Sequence, residues 1–315
     1  MKLDWADIQH ARAFVRESFP PTPLQAADSL SDNAKRVYLK NETGLPTGSF
    51  KVRGALFALH AETKVRPVKE VVAASTGNHG AAVAWAAHRS EIPAVIFLPK
   101  NPNPVKRGRI ADLGARIVEA GADISDALAA AREYTLKTGA FMLDDSTSPE
   151  VPAGAATIGY EIVEQLPNVA EIWVPMGDTA LIRGVAAAAK HLRPSVRMVG
   201  VQAKNAPSYY LSWKKGEVVV TETCDTIADG LATRSPVKEN VLAIRELVDD
   251  VCLVSEEQLL QGIRHLRERE GVLAEPAGAA TTAAWLAHAG QSRTVESVLV
   301  VTGGNIAEEV LRQVS

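Results

Sequence analysis

Along this chain, short runs in which nearly every position is apolar alternate with longer stretches whose apolar residues recur every three or four positions. The apolar runs at 36–39, 71–75, 94–99, 116–120, 171–176, 197–203, 251–254 and 297–302 predict β-strands. AVIFLP (94–99), apolar throughout, fits a strand covered on both faces. Helical spacing occupies 79–88, 104–113, 124–137, 158–165, 179–191, 256–270 and 277–288. Such alternation predicts an α/β protein with open, mostly parallel sheets covered by helices. Three strand–helix units of similar length fill residues 68–146, and the irregular DDSTSPEVPAG (144–154) then reads as a crossing back into a larger unit. The expected division is a large domain of 1–67 and 147–315 and a small domain of 68–146. In such sheets ligands sit beyond the carboxyl ends of the strands, so the turns there are where chemistry is expected.

Composition narrows the class. The 315 residues are 46% hydrophobic and 23% charged, ordinary for a globular enzyme of one or two domains. A formal net charge of −3 without long Lys or Arg runs argues against a nucleic-acid partner. Cys224 and Cys252 have neither CxxC nor metal-cluster spacing, which fits a reducing cytoplasm. The start, MKLDWADIQHARAF, lacks the apolar core of a secretory signal, and no run approaches the roughly 20 apolar residues of a membrane span. The expected partner is a small molecule.

Four turns carry candidate chemistry. In KNETGLPTGSFKVRGAL (40–56) a polar turn enters a helix near Ser49, with Lys51 in its first turn. An isolated lysine reads first as a surface residue. A helix N-terminus disfavours a cation, however, and would depress the amine's pKa, as a lysine that forms imines requires. In ASTGNHGAAVAWAA (74–87) Ser75, Thr76, Asn78 and His79 crowd a helix start, which read alone is an N-cap with a Gly-Asn turn. VPMGDTALIRGVAAAAK (174–190) is a strand–glycine–helix junction of the kind that grips phosphate. LVVTGGNIA (299–307) leads a strand into a Gly-Gly-Asn turn.

Taken together and in order, Lys40-x-Glu42, SFKVRGA, ASTGNHG, TIADGLAT (226–233), AEPAGAA (274–280) and TGGN (302–305) make the chain resemble the fold-type II pyridoxal-phosphate enzymes. Within them it resembles the serine/threonine dehydratase group, which includes serine racemase, over roughly residues 20–310. The fold so implied is that of the tryptophan synthase β-subunit. The resemblance implies pyridoxal 5'-phosphate held by Lys51 as an internal Schiff base, with Phe50 beside the ring and Asn78 on the ring hydroxyl. It places the substrate carboxylate on the loop of Ser75, Thr76, Gly77, Asn78 and His79, and the cofactor phosphate on Gly177, Asp178, Thr179, Ala180 and Leu181. Thr302 would face the pyridine nitrogen and Glu275 would lie on the far side of the ring. A neutral hydroxyl at the ring nitrogen makes a milder electron sink, which suits β-elimination better than transamination. The implied reaction is α,β-elimination from a β-hydroxy amino acid, with L-threonine and L-serine as default substrates, giving a 2-oxo acid and ammonia. Freed Lys51 serves as the base that removes the Cα proton.

Departures from the group's pattern mark where this chain differs. The group cradles phosphate with four glycines; here the run is Gly177-Asp178-Thr179-Ala180. Asp178 either caps the helix through the N–H groups of Ala180 or Leu181, or turns away while the Thr179 hydroxyl adds a donor. The second is favoured, because two anions sharing one helix end repel. The metal-binding carboxylates of some relatives correspond to Gln202 and Ser208, so no metal site is expected. AGQGT becomes Ala153-Gly154-Ala155-Ala156-Thr157, which leaves the substrate open. Thr76 occupies the place of a racemase's second proton-transfer group. His79 reads as orienting its loop through backbone bonds, and Arg53 as an ion-pair or phosphate-side residue. Arg234 reads as a loop arginine before an anchor for an acidic substrate, and Tyr209, Tyr210 and Trp213 most simply as a packing patch, with a homodimer interface as one place for it. No regulatory module follows residue 315 in this sequence, which under the resemblance points to a catabolic or constitutive enzyme. The rival readings are racemisation, β-replacement or threonine-synthase-like chemistry on the same cofactor, and a non-catalytic relative of the fold.

Overall fold

The computed structural model describes residues 3–100, 102, 104–288 and 296–315, and ten strands occur among them, eight of them in the apolar runs. They are β1 (Leu24–Ala26), β2 (Arg36–Asn41), β3 (Val71–Ala74), β4 (Ala94–Leu98), β5 (Arg116–Glu119), β6 (Phe141–Met142), β7 (Glu171–Pro175), β8 (Arg197–Ala203), β9 (Asp250–Val254) and β10 (Glu296–Val301). Among the described residues they form two sheets, ordered β1-β2-β10-β7-β8-β9 and β5-β4-β3-β6. Every pairing is parallel except the short edge strand β1 against β2. The last strand in the chain lies at the centre of the larger sheet, with Val298 opposite Tyr38 on one side and Ile172 on the other. That insertion brings the turn after β10 beside the turn after β2. Helices cover both sheets, and the apolar strand positions fill the core beneath them.

Several elements depart from the pattern read in the sequence. The helix expected at 158–165 runs Glu150–Gln165, so the second part of DDSTSPEVPAG is helical rather than irregular. Pro149 and Pro152 misled that reading, yet both stand at the helix start, where a proline's missing N–H leaves no bond unmade. Helices Trp5–Ser18, Ser208–Lys215 and Lys238–Leu247 lie where no helix was expected. The two- and three-residue strands β6 and β1 are too short to show a period.

The helix Lys51–Val65 fixes the site. It buries Val52 through Leu59 continuously and packs closely on the Glu150–Gln165 helix. The approach depends on two glycines: a Cβ on Gly154 would lie 2.5 Å from the Arg53 carbonyl oxygen, and one on Gly54 2.9 Å from that of Val151. A buried ion network locks the same pair of helices to β2. Arg53, fully buried, donates from Nε to Glu42 at 2.7 Å and from Nη1 to Glu161 at 2.6 Å and Thr157 at 2.9 Å. Lys40, also fully buried, donates to Glu161 at 2.6 Å and to Gln165 at 2.9 Å. Burial pulls the Lys40 amine below its ordinary value, against the attraction of Glu161 and Glu42. Arg53 is therefore a structural ion-pair residue, and the Lys40-x-Glu42 motif supplies two of its network's members. Arg53→Met takes the cationic partner from buried Glu42 and leaves Glu161 with Lys40 alone, and is expected to cost about 3–5 kcal/mol of unfolding free energy. Urea denaturation measures it; a loss below about 1 kcal/mol would remove the network's anchoring role.

Candidate active site

Four turns separated in sequence are stitched into one cleft. The 46–50 turn meets the 302–305 turn through Phe50 N–H to Thr302 O (3.0 Å), Gly304 N–H to Gly48 O (2.9 Å) and a bridge between Ser49 and Gly303. Asn305 donates to Thr47 O at 2.9 Å and to the Asn78 side-chain oxygen at 2.6 Å. Asn78 in turn donates to Glu275 Oε1 at 2.7 Å, and the Glu275 N–H binds Gly303 O at 2.9 Å. Thus Asn78, Glu275 and Thr302 come together beside the start of the Lys51 helix. Half-buried Ser75, Thr76 and Gly77 lie at the carboxyl end of β3, where Ser75 Oγ accepts the Gly77 N–H at 3.2 Å. The His79 ring donates from Nε2 to the Leu143 carbonyl at 2.9 Å, orienting the loop.

Lys51 is the first residue of its helix, with Nζ 5.4 Å from the Phe50 ring centre. It donates to Asp145 Oδ2 at 2.6 Å and to Asp178 Oδ2 at 2.7 Å. Burial alone would push the amine down; the two carboxylates outweigh it and hold Lys51 above the ordinary lysine value. This corrects the depressed pKa expected from the helix terminus, because a terminus offers about half a charge and two carboxylates offer two. Asp145 is half-buried and its desolvation favours the neutral form, but His79 and Lys51 overcome that and hold its carboxyl below the usual range. Burial, aided by the neighbouring Asp145 charge, lifts Asp178 above the usual carboxylate value against the pull of Lys51.

The turn after β7 also differs from the favoured expectation. Asp178 does not turn away: Oδ1 accepts the Ala180 N–H at 2.7 Å while Oδ2 takes Lys51, so one carboxylate caps the helix and pairs the amine. Ala180 and Leu181 begin the helix Ala180–Leu192. Thr179 takes the left-handed conformation, φ +75°, that a glycine would adopt at lower cost, and its hydroxyl oxygen accepts from Arg183 Nε at 3.2 Å. Gly177 is required for a different reason: a Cβ there would lie 2.1 Å from the Gly230 carbonyl oxygen. TIADGLAT therefore acts as the wall behind this turn.

Sequence reasoning missed three groups. Asp145 lay in a segment read as irregular. Arg183, 6% exposed, lay in an alanine-rich helix read for its packing, and burial lowers its pKa while Asp178 partly restores it. Asn240 donates to Ser146 O (3.1 Å), to Asp178 O (3.4 Å) and to the Tyr209 hydroxyl (3.3 Å), tying the two aspartate-bearing loops together. A motif search for carboxylates near the turns would have found Asp145. Tyr209 is 1% exposed with its hydroxyl accepting the Val237 N–H, so it belongs to the core and not to an interface. Arg234 is exposed, and its carbonyl accepts the Thr221 N–H. Gln202 Oε1 accepts the Tyr210 N–H and Ser208 Oγ donates to Thr233 O. Among the described residues no group of three or more His, Cys, Asp or Glu is arranged to hold a metal ion.

Chemically, the cleft offers an amine at a helix start facing a second helix start. The N–H groups of Leu181 and Ile182 have no acceptor within their helix, and the buried Arg183 guanidinium lies in the same turn. That donor set suits a phosphate dianion. The amine's protonation is testable in cofactor-free protein. Removing negative charge lowers a lysine pKa, so Asp145→Asn with Asp178→Asn shifts the midpoint of Lys51 acylation, followed by peptide mass mapping, to lower pH. An unchanged midpoint would mean that the carboxylates do not control the amine.

Comparison with known proteins agrees with this geometry. A family model described as "Pyridoxal-phosphate dependent enzyme" matches residues 15–303. An L-threonine ammonia-lyase of Geobacter sulfurreducens is 38% identical over 305 residues, 96% of this chain and 76% of that one. The catabolic L-threonine dehydratase TdcB of Escherichia coli is 33% identical over 303 residues, 95% of this chain and 92% of that one. Among solved structures, maize serine racemase superposes with a TM-score of 0.93 at 31% identity, covering 99% of this chain and 97% of its own. The processed form of threonine deaminase isoform 2 from Solanum lycopersicum gives 0.89 at 27% identity, covering 100% and 94%. With Lys51, the Asn78–Glu275 pair and the glycine-wrapped helix start already in one cleft, these matches place the chain in the family of pyridoxal-phosphate-dependent enzymes.

Proposed function

We propose that this enzyme eliminates water from a β-hydroxy amino acid of the threonine or serine type, yielding a 2-oxo acid and ammonia. One observation carries the reading. A lysine at a helix start faces a turn whose free N–H groups and buried Arg183 match a phosphate monoester, in a chain whose relatives are named threonine ammonia-lyases. The residues fit pyridoxal phosphate: Lys51 as covalent anchor, the turn from Gly177 to Leu181 for the phosphate, Phe50 against the ring, Asn78 for the ring hydroxyl and Thr302 for the ring nitrogen. Glu275 is the hydrogen-bond partner that aims Asn78. When bound, that cofactor supplies the electron sink that stabilises negative charge at the substrate Cα.

The protein's own groups do the rest. Ser75, Thr76, Gly77, Asn78 and His79 receive the substrate carboxylate through hydroxyls and N–H groups. Lys51 Nζ, in its neutral form, takes the Cα proton. The Cα–H electron pair becomes a Cα–Cβ double bond as the Cβ–O bond breaks. The hydroxyl departs with a proton as water, and the unsaturated product hydrolyses to the 2-oxo acid and ammonia. A second reading, racemisation, uses Thr76 as the opposite-face proton group and rests on that residue's place at the end of β3 and on the serine racemase neighbour.

The same proposal divides the molecule into a large domain of 1–67 and 147–315 and a small domain of 68–146, with the cleft between them, and has it work in the cytoplasm as a homodimer. Free Cys224 and Cys252 accord with a reducing compartment. Among the described residues no helix is long and apolar enough to cross a membrane. Incubating the cofactor-loaded protein with L-threonine or L-serine is expected to release 2-oxo acid and ammonia in equal amounts. Lys51→Ala is expected to reduce that release by at least about a thousandfold. Absence of both products with every β-hydroxy amino acid tried, or full activity in the variant, would overturn the reading.

A further inference from the structure

We propose, resting on the elimination reading, that Asp145 selects a β-hydroxy amino acid that carries a second ammonium on the carbon beyond the hydroxyl-bearing one. The carboxylates near Lys51 differ in their partners. Asp144 faces Arg132 at 3.5 Å and accepts the N–H and the hydroxyl of Ser146. Asp178 has the Ala180 N–H and the nearby Arg183 guanidinium. Asp145 has Lys51 at 2.6 Å and, at 3.7 Å, His79 Nδ1. His79 Nε2 lies 2.9 Å from the Leu143 carbonyl, which can only accept, so Nε2 carries the hydrogen. His79 Nδ1, at 3.7 Å, lies beyond hydrogen-bond distance of Asp145, so Lys51 is the side-chain donor within reach of that carboxylate.

The reaction changes that account. To take a proton from Cα, Lys51 must be a neutral amine. With its ammonium gone, half-buried Asp145 loses the donor that lies 2.6 Å from its Oδ2. A threonine methyl group placed there offers no donor, and the cost of the lost hydrogen bond falls on the bound state. A substrate ammonium in the same place supplies the missing donors. It also repels a proton from Lys51 and so favours the neutral base. The structure already shows the receptor holding an ammonium, that of Lys51, at ordinary charge-assisted distances from two carboxylates.

Reach decides where the second ammonium sits. A lysine nitrogen poised for proton transfer lies about 3 Å from Cα. Asp145 Oδ2 is 2.6 Å beyond that nitrogen. Two carbon–carbon bonds and one carbon–nitrogen bond carry a substituent up to about 4 Å from Cα, within hydrogen-bond range of this oxygen. The β-carbon keeps the leaving hydroxyl, so the cation belongs on the next carbon.

The experiment compares L-threonine with 3-hydroxy-2,4-diaminobutanoate on the cofactor-loaded enzyme, measuring kcat/KM for each and the apparent Kd from the absorbance change on binding. The diamino acid is expected to be preferred by at least about tenfold in both quantities, and Asp145→Asn is expected to reduce that preference by at least about tenfold. Equal treatment of the two amino acids, a preference for threonine, or a preference that survives Asp145→Asn would overturn the proposal. Binding without product from either amino acid would instead sink the elimination reading, and the Kd ratio would still decide the role of Asp145. Retention of the cofactor's visible absorbance by the variant excludes misfolding as the cause.

Discussion

Arg53, enclosed by Glu42 and Glu161, is the contact on which the site's geometry depends. It joins the end of β2, the Lys51 helix and the Glu150–Gln165 helix, which are far apart in sequence. Two residues along a helix turn the side chain by about 200°, so Arg53 and Lys51 point to nearly opposite faces. While the arginine is locked into the core, the lysine is aimed at the cleft. Buried ion pairs contribute little net stability when compared with apolar packing, but breaking one is costly. Here the network fixes which way the helix faces, and the close contact at Gly54 and Gly154 fixes how near its neighbour lies.

The electrostatics of the cleft work against the simplest picture of a reactive lysine. Two carboxylates hold the Lys51 proton, and one of them also occupies the N–H group of Ala180, one of the donors a phosphate would want. Under the proposed reading, a phosphate that used the Ala180 N–H would have to displace Asp178 from it, while the N–H groups of Leu181 and Ile182 and the Arg183 guanidinium stay open to the dianion. The four-glycine loop of the resembled group needs no such displacement. Asp178 and Asp145 thus set the charge balance around the Lys51 amine.

Much of this was legible in the sequence because the turns are local. SFK at a helix start, ASTGNHG after β3 and TGGN after β10 are short strings whose conformations follow from strand ends, glycines and caps. Their convergence was inferred from resemblance, since periodicity cannot reveal that the final strand enters between β2 and β7. Asp145 was not legible for the same reason. It reaches Lys51 across 94 residues, carried there by a helix whose start was hidden by two prolines. The orientation of Asp178 was misjudged because repulsion from a phosphate was weighed while attraction to Lys51, 127 residues away, was not visible. Arg183 read as one polar position in an apolar helix; its burial depends on tertiary packing.

In the proposed reading Lys51, aimed by the Arg53 network, is the residue that carries pyridoxal phosphate. Borohydride reduction of the cofactor-loaded protein, followed by proteolysis and mass mapping, tests it directly. The account predicts a pyridoxyl mass on the peptide containing Lys51 and on no other. Finding the label on a different lysine, or no label on protein that binds the cofactor, would contradict it.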